Sequence, residues 1–186
     1  MSAARHSPLE VEPIHMRREI SLAIFAAGLF GFAHPEAQTI EQNKAVIQRA
    51  ETEVWNKGDL AAADAIYAPD FVCHFVDGIE WRGQGGIKAA VASHRRSFPD
   101  WHERVEDMIA EGDRVAIRIH STGTQLGAFN GIPATGRRIS IEEIHIFRLE
   151  HGKIAEQWGM PDVHGLLEQL GVGGGAMKVQ STGGGR

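Results

Sequence analysis

Residues 137–158 read RRISIEEIHIFRLEHGKIAEQW, and along most of this stretch apolar residues alternate with polar or charged ones. A period of two residues is typical of a β-strand that packs one face against a core. The alternation stops at His151-Gly152, a pair that favours a tight turn. The stretch therefore predicts two antiparallel strands, 137–149 and 153–158, joined by a short turn.

Two more stretches with the same period lie upstream, at 101–110 and 114–124. The turn-like Glu111-Gly112-Asp113 connects them, and a longer loop at 127–136, which contains Pro133, leads on to the next strand. The second half of the chain therefore predicts four antiparallel strands in sequence order.

The first half of the chain is mainly helical in pattern. Apolar residues recur at helical spacing from Ile40 to Val54, and Gly58 supplies a stop. Further helices are predicted at 60–67, at 86–97 and after Asp162 as far as Gly171, with a short strand at 71–75. Helices followed by a run of strands indicate an α+β fold, in which a curved antiparallel sheet is covered on one face by helices. A pocket between the two layers is where chemistry is expected.

The composition is close to the average for globular proteins of one domain. The chain has 186 residues, of which 42% are hydrophobic and 23% charged. The net charge is −5 and no basic run is present, so nucleic acid is not an expected partner. Cys73 is the single cysteine, which excludes an internal disulfide and a thiolate zinc cage. Its apolar neighbours favour a buried structural role.

Both ends of the chain are predicted to lie outside the domain. Residues 16–33 combine a positive start, an apolar stretch of 14 residues (20–33) and a small-residue exit, which is typical of a secretory signal and short of the roughly 20 residues that span a membrane. Cleavage is expected after Ala33, or failing that after Ala37. Residues 1–37 would then be an N-terminal extension, 38–171 the domain, and 172–186 a disordered glycine-rich tail. The mature protein would be periplasmic or secreted with no stable membrane anchor, and cytoplasmic if the segment is not a signal.

The strand Ile141–Phe147 carries the strongest candidate for chemistry. Alternation places Glu143, His145 and Phe147 on one face and large apolar residues on the other. Such a strand either lines a cavity or presents a solvated face, and the residues alone leave both open. Asp162 follows Pro161 at a predicted helix start, where an N-cap is the commoner role and a proton-transfer carboxylate the alternative.

Several other kinds of site are not expected. The ten histidines form no HExxH motif and no close pair, so no metal site is predicted. The glycine-rich segments lack nucleotide-binding patterns, so no cofactor is predicted, and the absence of a GxSxG elbow disfavours a serine hydrolase.

A set of short motifs nevertheless recurs in an order that resembles a known family. The motifs are Trp55-Asn56-Lys57-Gly58-Asp59, Tyr67-Ala68-Pro69-Asp70-Phe71, Phe98-Pro99-Asp100, Gly131-Ile132-Pro133-Ala134-Thr135-Gly136, Glu142-Glu143-Ile144-His145, Gly152-Lys153-Ile154 and Trp158 to Asp162 with Leu166-Leu167-Glu168-Gln169-Leu170-Gly171. Between Ile40 and Gly171 the chain resembles the SnoaL-like polyketide cyclases, or ester cyclases, of the nuclear transport factor 2-like superfold. The resemblance implies a cone, in which a strongly curved antiparallel sheet wraps around the N-terminal helices, and a homodimer formed through the exposed sheet face.

The resemblance also implies a mechanism. The family's acid/base aspartate corresponds to Asp162, which would close a ring by intramolecular aldol condensation without metal or cofactor. His145, assisted by Asn56, would stabilise the enolate. Glu143 stands where the family has Gln, and Gly159-Met160 is inserted between the family's adjacent Trp and Pro. The apolar walls would be Phe75, Phe98, Trp101, Phe147 and Trp158.

The leading hypothesis is therefore a cofactor-free cyclase that acts on a small apolar carbonyl compound. One alternative is an isomerase or epoxide-hydrolase-like enzyme in the same cone, with Glu143 as a second catalytic carboxylate. The other is a periplasmic protein that binds a small apolar ligand without converting it.

Overall fold

The computed structural model describes residues 39–172. The predicted signal sequence, its cleavage site and the predicted tail beyond Val172 lie outside the described residues. Within the described range, no helix is both long enough and apolar enough to cross a membrane.

The first helix, α1 (Ile40–Arg49), begins with a capping box. Thr39 Oγ1 accepts a hydrogen bond from the Gln42 amide at 3.1 Å, and Gln42 Oε1 accepts one from the Thr39 amide at 2.8 Å. The helix continues as a π-helical segment, Ala50–Asn56, and the chain turns away at Gly58, whose φ of +71° suits glycine. The predicted first helix and its glycine stop are confirmed.

Three further helices follow. They are α2 (Ala63–Ile66), α3 (Gly83–Ser97) and α4 (Val163–Leu170). Helix α2 is shorter than predicted because Tyr67 already has an extended backbone and starts the next strand. Helix α3 begins three residues before the predicted start, and α4 ends at Gly171 as predicted.

Six strands form one sheet. They are β1 (Tyr67–His74), β2 (Glu80–Arg82), β3 (His102–Glu111), β4 (Arg114–Thr124), β5 (Arg138–Glu150) and β6 (Lys153–Pro161), in the spatial order β2-β1-β6-β5-β4-β3. The four predicted strands form the antiparallel meander β3 to β6. The α+β fold with a curved, unclosed sheet is confirmed.

Strand β1 adds a feature that alternation alone does not reveal, because it pairs with β6 in parallel. Parallel neighbours need a long connection. Here α3 and the strands β2 to β5 lie between β1 and β6 in the sequence. On its other side β1 pairs antiparallel with the short strand β2.

The inner face of the sheet and the helices enclose two groups of buried apolar residues. The larger one joins α1, the π-helical segment and the sheet, and it includes Ile47, Val54, Phe71, Ile117 and Phe147. The smaller one lies under α4 and consists of Phe98, Trp101, Ile139, Ile141, Leu166 and Leu170. Each fully buried large side chain contributes about 1.5–3 kcal/mol. Cys73 belongs to the larger group, and burial raises the pKa of its thiol to about 12.

Candidate active site

A cavity of about 220 Å³ is lined by residues from both apolar groups. Six aromatic residues line it, namely Trp55, Phe75, Trp81, Phe98, Trp101 and Phe129. The titratable and amide side chains that line it are His94, Glu103, Asn130, Glu143, His145 and Gln157. A mainly apolar cavity with a few converging polar groups is the common form of a small-molecule site.

Glu143 and His145 reach the cavity because β5 alternates. Their side chains are each only 6% exposed, whereas Ile144 between them is 54% exposed on the outer face. The sequence left open whether this strand lines a cavity or a wet surface, and the structure shows the cavity.

Glu143 and His145 form a close pair. Glu143 Oε2 lies 3.4 Å from His145 Nε2, while Gln157 Nε2 lies 3.3 Å from His145 Nδ1. With the Gln157 amide donating to Nδ1, the neutral imidazole carries its proton on Nε2, which faces Glu143. Glu143 Oε1 and His145 Nε2 are buried and have no hydrogen-bond partner in the protein. Unsatisfied polar atoms of this kind are costly in a structural core and useful in a binding site.

The environment keeps the Glu143 carboxyl ionised. Burial raises its pKa, but the adjacent His145 ring more than offsets this, so that the pKa lies below its usual value. Glu143 is therefore a carboxylate at neutral pH and can accept a proton.

A second pair of buried carboxyl groups, Glu51 and Glu103, was not predicted. Glu103 lines the cavity and is 6% exposed, and Glu51, 2% exposed, lies near enough to shift its pKa. Burial, and then the charge of Glu51, raises the pKa of Glu103 well above its usual value. A sequence signal existed, since Glu51 falls on the apolar stripe of Ile47 and Val54, where a charged residue needs an explanation.

His94 is the other titratable group that sequence analysis left unassigned. Its ring lies edge-on to Trp101 with centroids 4.1 Å apart and stacks on Phe98 at 5.2 Å. Burial lowers the pKa of His94 to about 4, so that the ring is neutral at physiological pH. Its Nε2 is buried without a hydrogen-bond partner. Among residues 39–172, no three His, Cys, Asp or Glu side chains are grouped so as to hold a metal ion.

Comparison with known proteins identifies the family. The family model of the SnoaL-like polyketide cyclases matches residues 45–170, which is well over half of the chain. The chain belongs to this family. Aklanonic acid methyl ester cyclase DnrD from Streptomyces peucetius is 36% identical over 94 residues, which cover 50% of this chain and 64% of that protein. The match thus spans slightly less than two thirds of this relative.

Two solved structures share the fold. A protein from Jannaschia sp. CCS1, assigned as a SnoaL-like polyketide cyclase, has a TM-score of 0.67 at 25% identity, covering 72% of this chain and 94% of that one. TsrD from Streptomyces laurentii has a TM-score of 0.66 at 30% identity, with 73% and 98% covered.

Asp162, which corresponds to the family's acid/base aspartate, caps a helix in this chain. Its Oδ1 accepts a hydrogen bond from the Gly165 amide at 2.8 Å at the start of α4. The side chain is exposed and does not line the cavity. The N-cap predicted from the residues alone is observed, and the catalytic role of Asp162 remains a prediction.

Asn56, predicted to assist substrate binding, holds the main chain of Glu103. Asn56 Nδ2 donates to the Glu103 carbonyl at 2.8 Å, and Asn56 Oδ1 accepts from the Glu103 amide at 2.7 Å. Both polar atoms of the amide group bond to the main chain, and Asn56 does not line the cavity. Its place in this SnoaL-like chain is to fix the strand that carries Glu103.

Two aromatic residues predicted to line the cavity also lie outside its lining. A β-bulge at Ala155 shifts the register of β6, so that Trp158 points outward, stacks on His74 at 5.5 Å and lies under Arg114. Phe147 points inward but is 1% exposed within the larger apolar group. The structure places Phe75, Phe98 and Trp101, by contrast, in the cavity wall.

Proposed function

We propose that this protein is a cofactor-free cyclase that closes a ring in a small apolar carbonyl compound by an intramolecular aldol reaction. The observation that carries the proposal is the Glu143–His145 pair, whose buried Oε1 and Nε2 atoms lack partners in an aromatic cavity. Membership of the SnoaL-like family and the similarity to a methyl ester cyclase support it.

In the proposed reaction, the Glu143 carboxylate removes a proton from a carbon next to a carbonyl group. The His145 Nε2–H donates a hydrogen bond to the oxygen of the enolate that forms. The enolate carbon attacks a second carbonyl of the same molecule, and the proton taken up by Glu143 is returned to the new alkoxide. One C–H bond and the π bond of the attacked carbonyl break, one C–C bond and one O–H bond form, and the product is an isomer of the substrate.

The strength of the base indicates the substrate class. A carboxylate whose pKa lies below its usual value is a weak base, so the C–H group that it ionises must itself be acidic. A carbon flanked by two carbonyl groups, as in a β-keto ester, meets this requirement. The aromatic walls favour a flat, apolar molecule and exclude water, which would contribute proximity as well as orientation.

The experiment uses the full chain and a panel of polycyclic β-keto esters, including aklanonic acid methyl ester. Because cyclisation leaves the mass unchanged, the readout is a new chromatographic peak of the same mass. Glu143→Gln should lower kcat by about 10²–10⁴-fold. Glu142→Gln is the matched control, since Glu142 is the exposed neighbour on the same strand. Full turnover by Glu143→Gln would refute the assignment of the base.

A proton-shuttling isomerase is a second candidate, because a carboxylate inside the cavity is the feature that this alternative requires. Glu143 meets it. Adding β,γ-unsaturated ketones to the panel tests this function, since double-bond migration changes the ultraviolet spectrum. Binding of panel compounds without conversion, in both the native protein and Glu143→Gln, would instead indicate a non-catalytic binding protein.

A further inference from the structure

Glu103 has no role in the reaction described above, yet it lines the same cavity. Its side chain is 94% buried, since only 6% is exposed. Oε1 accepts a hydrogen bond from Trp101 Nε1 at 2.7 Å, while Oε2 is buried and no donor group contacts it. An ionised carboxylate left in this way would be strongly destabilised.

The position of Glu103 is fixed from both sides. The Asn56 side chain holds its main-chain amide and carbonyl at 2.7 and 2.8 Å, and the Trp101 indole holds Oε1. Two anchors of this kind orient the carboxyl group before any ligand arrives, which is a requirement of electrostatic preorganisation.

The groups facing Glu103 indicate which form it takes. Glu51 contacts it from the π-helical segment, Glu143 acts on it from β5, and neither neighbour is a cation. Glu51 Oε2 also lacks any other partner. One proton shared by Glu51 and Glu103 satisfies both carboxyl groups and removes one of two adjacent buried charges.

We propose that Glu103, as a neutral carboxylic acid, is a second hydrogen-bond donor of the cavity and that its Oε2–H binds a carbonyl oxygen of the substrate. Without ligand the proton is shared with Glu51, and an entering carbonyl oxygen competes for it. Glu103 donates a hydrogen bond to the carbonyl oxygen and does not transfer its proton to the substrate. The role in catalysis rests on the proposed cyclase function, where Glu103 would polarise the carbonyl that the enolate attacks.

Two carboxyl groups in one cavity then have opposite tasks. His145 keeps Glu143 ionised as the base, whereas burial and Glu51 keep Glu103 protonated as the donor. Environments that push the pKa values of neighbouring groups apart are a recurring basis for acid and base assignments in enzymes.

The first test measures protonation without any ligand. Full-length protein is labelled with ¹³C at the glutamate side-chain carboxyls, and the Glu103 resonance is identified by its loss in Glu103→Gln. We expect a chemical shift upfield of the ionised range and constant through neutral pH. Glu106, an exposed glutamate on the same strand, is assigned through Glu106→Gln and serves as the surface reference. A Glu103 resonance in the carboxylate range at neutral pH would overturn the proposal.

The second test measures hydrogen-bond donation with acetophenone labelled with ¹³C at its carbonyl group. In a His145→Phe background, which removes the other donor of the cavity, we expect a carbonyl stretch at lower frequency with Glu103 present, a smaller decrease in Glu103→Gln and none in Glu103→Leu. His145→Gln should retain a decrease, because Glu103 still donates. A decrease that persists in Glu103→Leu, or one that appears only in Glu103→Gln, would show that Glu103 is not the donor.

Neither measurement depends on turnover, so the failure of the cyclase proposal and the failure of this one are distinguishable. Once a converted substrate is known, Glu103→Leu should lower kcat by about 10²–10³-fold, as expected for loss of one preorganised donor. Glu103→Gln should fall between the native protein and Glu103→Leu.

Discussion

Gly159 lies directly opposite His145 across the β5–β6 ladder. A Cβ atom at this position would stand 2.6 Å from the Phe75 ring and 3.4 Å from His145 Nε2. Phe75 in turn stacks on Trp81, with ring centroids 5.3 Å apart. The absence of a side chain at Gly159 therefore lets the aromatic wall approach the candidate catalytic histidine.

Gly159→Ala should displace the Phe75 ring and narrow the cavity beside His145. We expect the free energy of unfolding to fall by about 1–3 kcal/mol, the usual cost of overpacking, and the affinity for an aromatic ketone to fall with it. Calorimetric titration and urea unfolding measure the two effects. Gly85→Ala is the control, because a Cβ there meets no atom within 4 Å and lies in helix α3, where alanine is favoured over glycine. Unchanged affinity in Gly159→Ala would contradict this account of the cavity.

Substitutions of Asp162 can distinguish a helix-capping role from an acid/base role in catalysis. Asparagine caps a helix about as well as aspartate, whereas alanine loses about 1 kcal/mol. Asp162→Asn should therefore retain both stability and turnover, and Asp162→Ala should lose stability alone. Thermal unfolding and kcat, measured on the same samples, distinguish the roles. Lost turnover in Asp162→Asn with unchanged stability would establish the acid/base role predicted from the family resemblance.

Strands β5 and β6 show how much of the candidate site could be predicted from the sequence. The period-two pattern of residues 137–149 was enough to place Glu143 and His145 on one face, because alternation within an unbroken strand is local. Trp158, which the family resemblance placed in the apolar wall, points outward, since the bulge at Ala155 inserts one residue and reverses which side chains point inward. A bulge depends on the partner strand and leaves little trace in the strand's own sequence.

The proximity of Glu51 to Glu103 could not be predicted from the sequence, for a different reason. They are far apart in the chain and meet only because the π-helical segment packs against β3. Residue type and spacing identify groups within one element, whereas contact between elements depends on tertiary packing. The pairing of Asn56 with the Glu103 main chain is a second example.

The outer face of the sheet is predicted to form a homodimer interface. Ile144 and Met160 are paired in register and are 54% and 70% exposed, and Ile146, 41% exposed, lies beside Trp158. Contiguous apolar side chains on a sheet face are typical of protein contacts. Sedimentation equilibrium should give a dimer for the full chain and a monomer for Ile144→Lys. Leu126→Lys, which alters an exposed loop residue, should remain dimeric, and a monomeric native protein would refute the prediction.

His94 should make stability depend on pH in a defined window. Burial lowers its pKa from 6.5 to about 4 in the folded state, so the unfolded chain binds a proton more readily. The contribution of a neutral His94 to the free energy of unfolding is thus present above pH 6.5 and is lost as the pH falls toward about 4. The total loss is about 3 kcal/mol, at about 1.4 kcal/mol per pH unit. Glu143 opposes this effect and Arg95 adds to it, and both are included in the shift.

The variant His94→Phe removes the titrating group and keeps an aromatic ring against Trp101 and Phe98. Urea unfolding measures the free energy of unfolding of both proteins at neutral and acidic pH. Subtracting the change in one protein from the change in the other cancels the contributions of titratable groups that the two proteins share. We expect the native protein to lose about 3 kcal/mol more than His94→Phe on acidification. Equal losses in the two proteins would show that burial does not lower the pKa of His94.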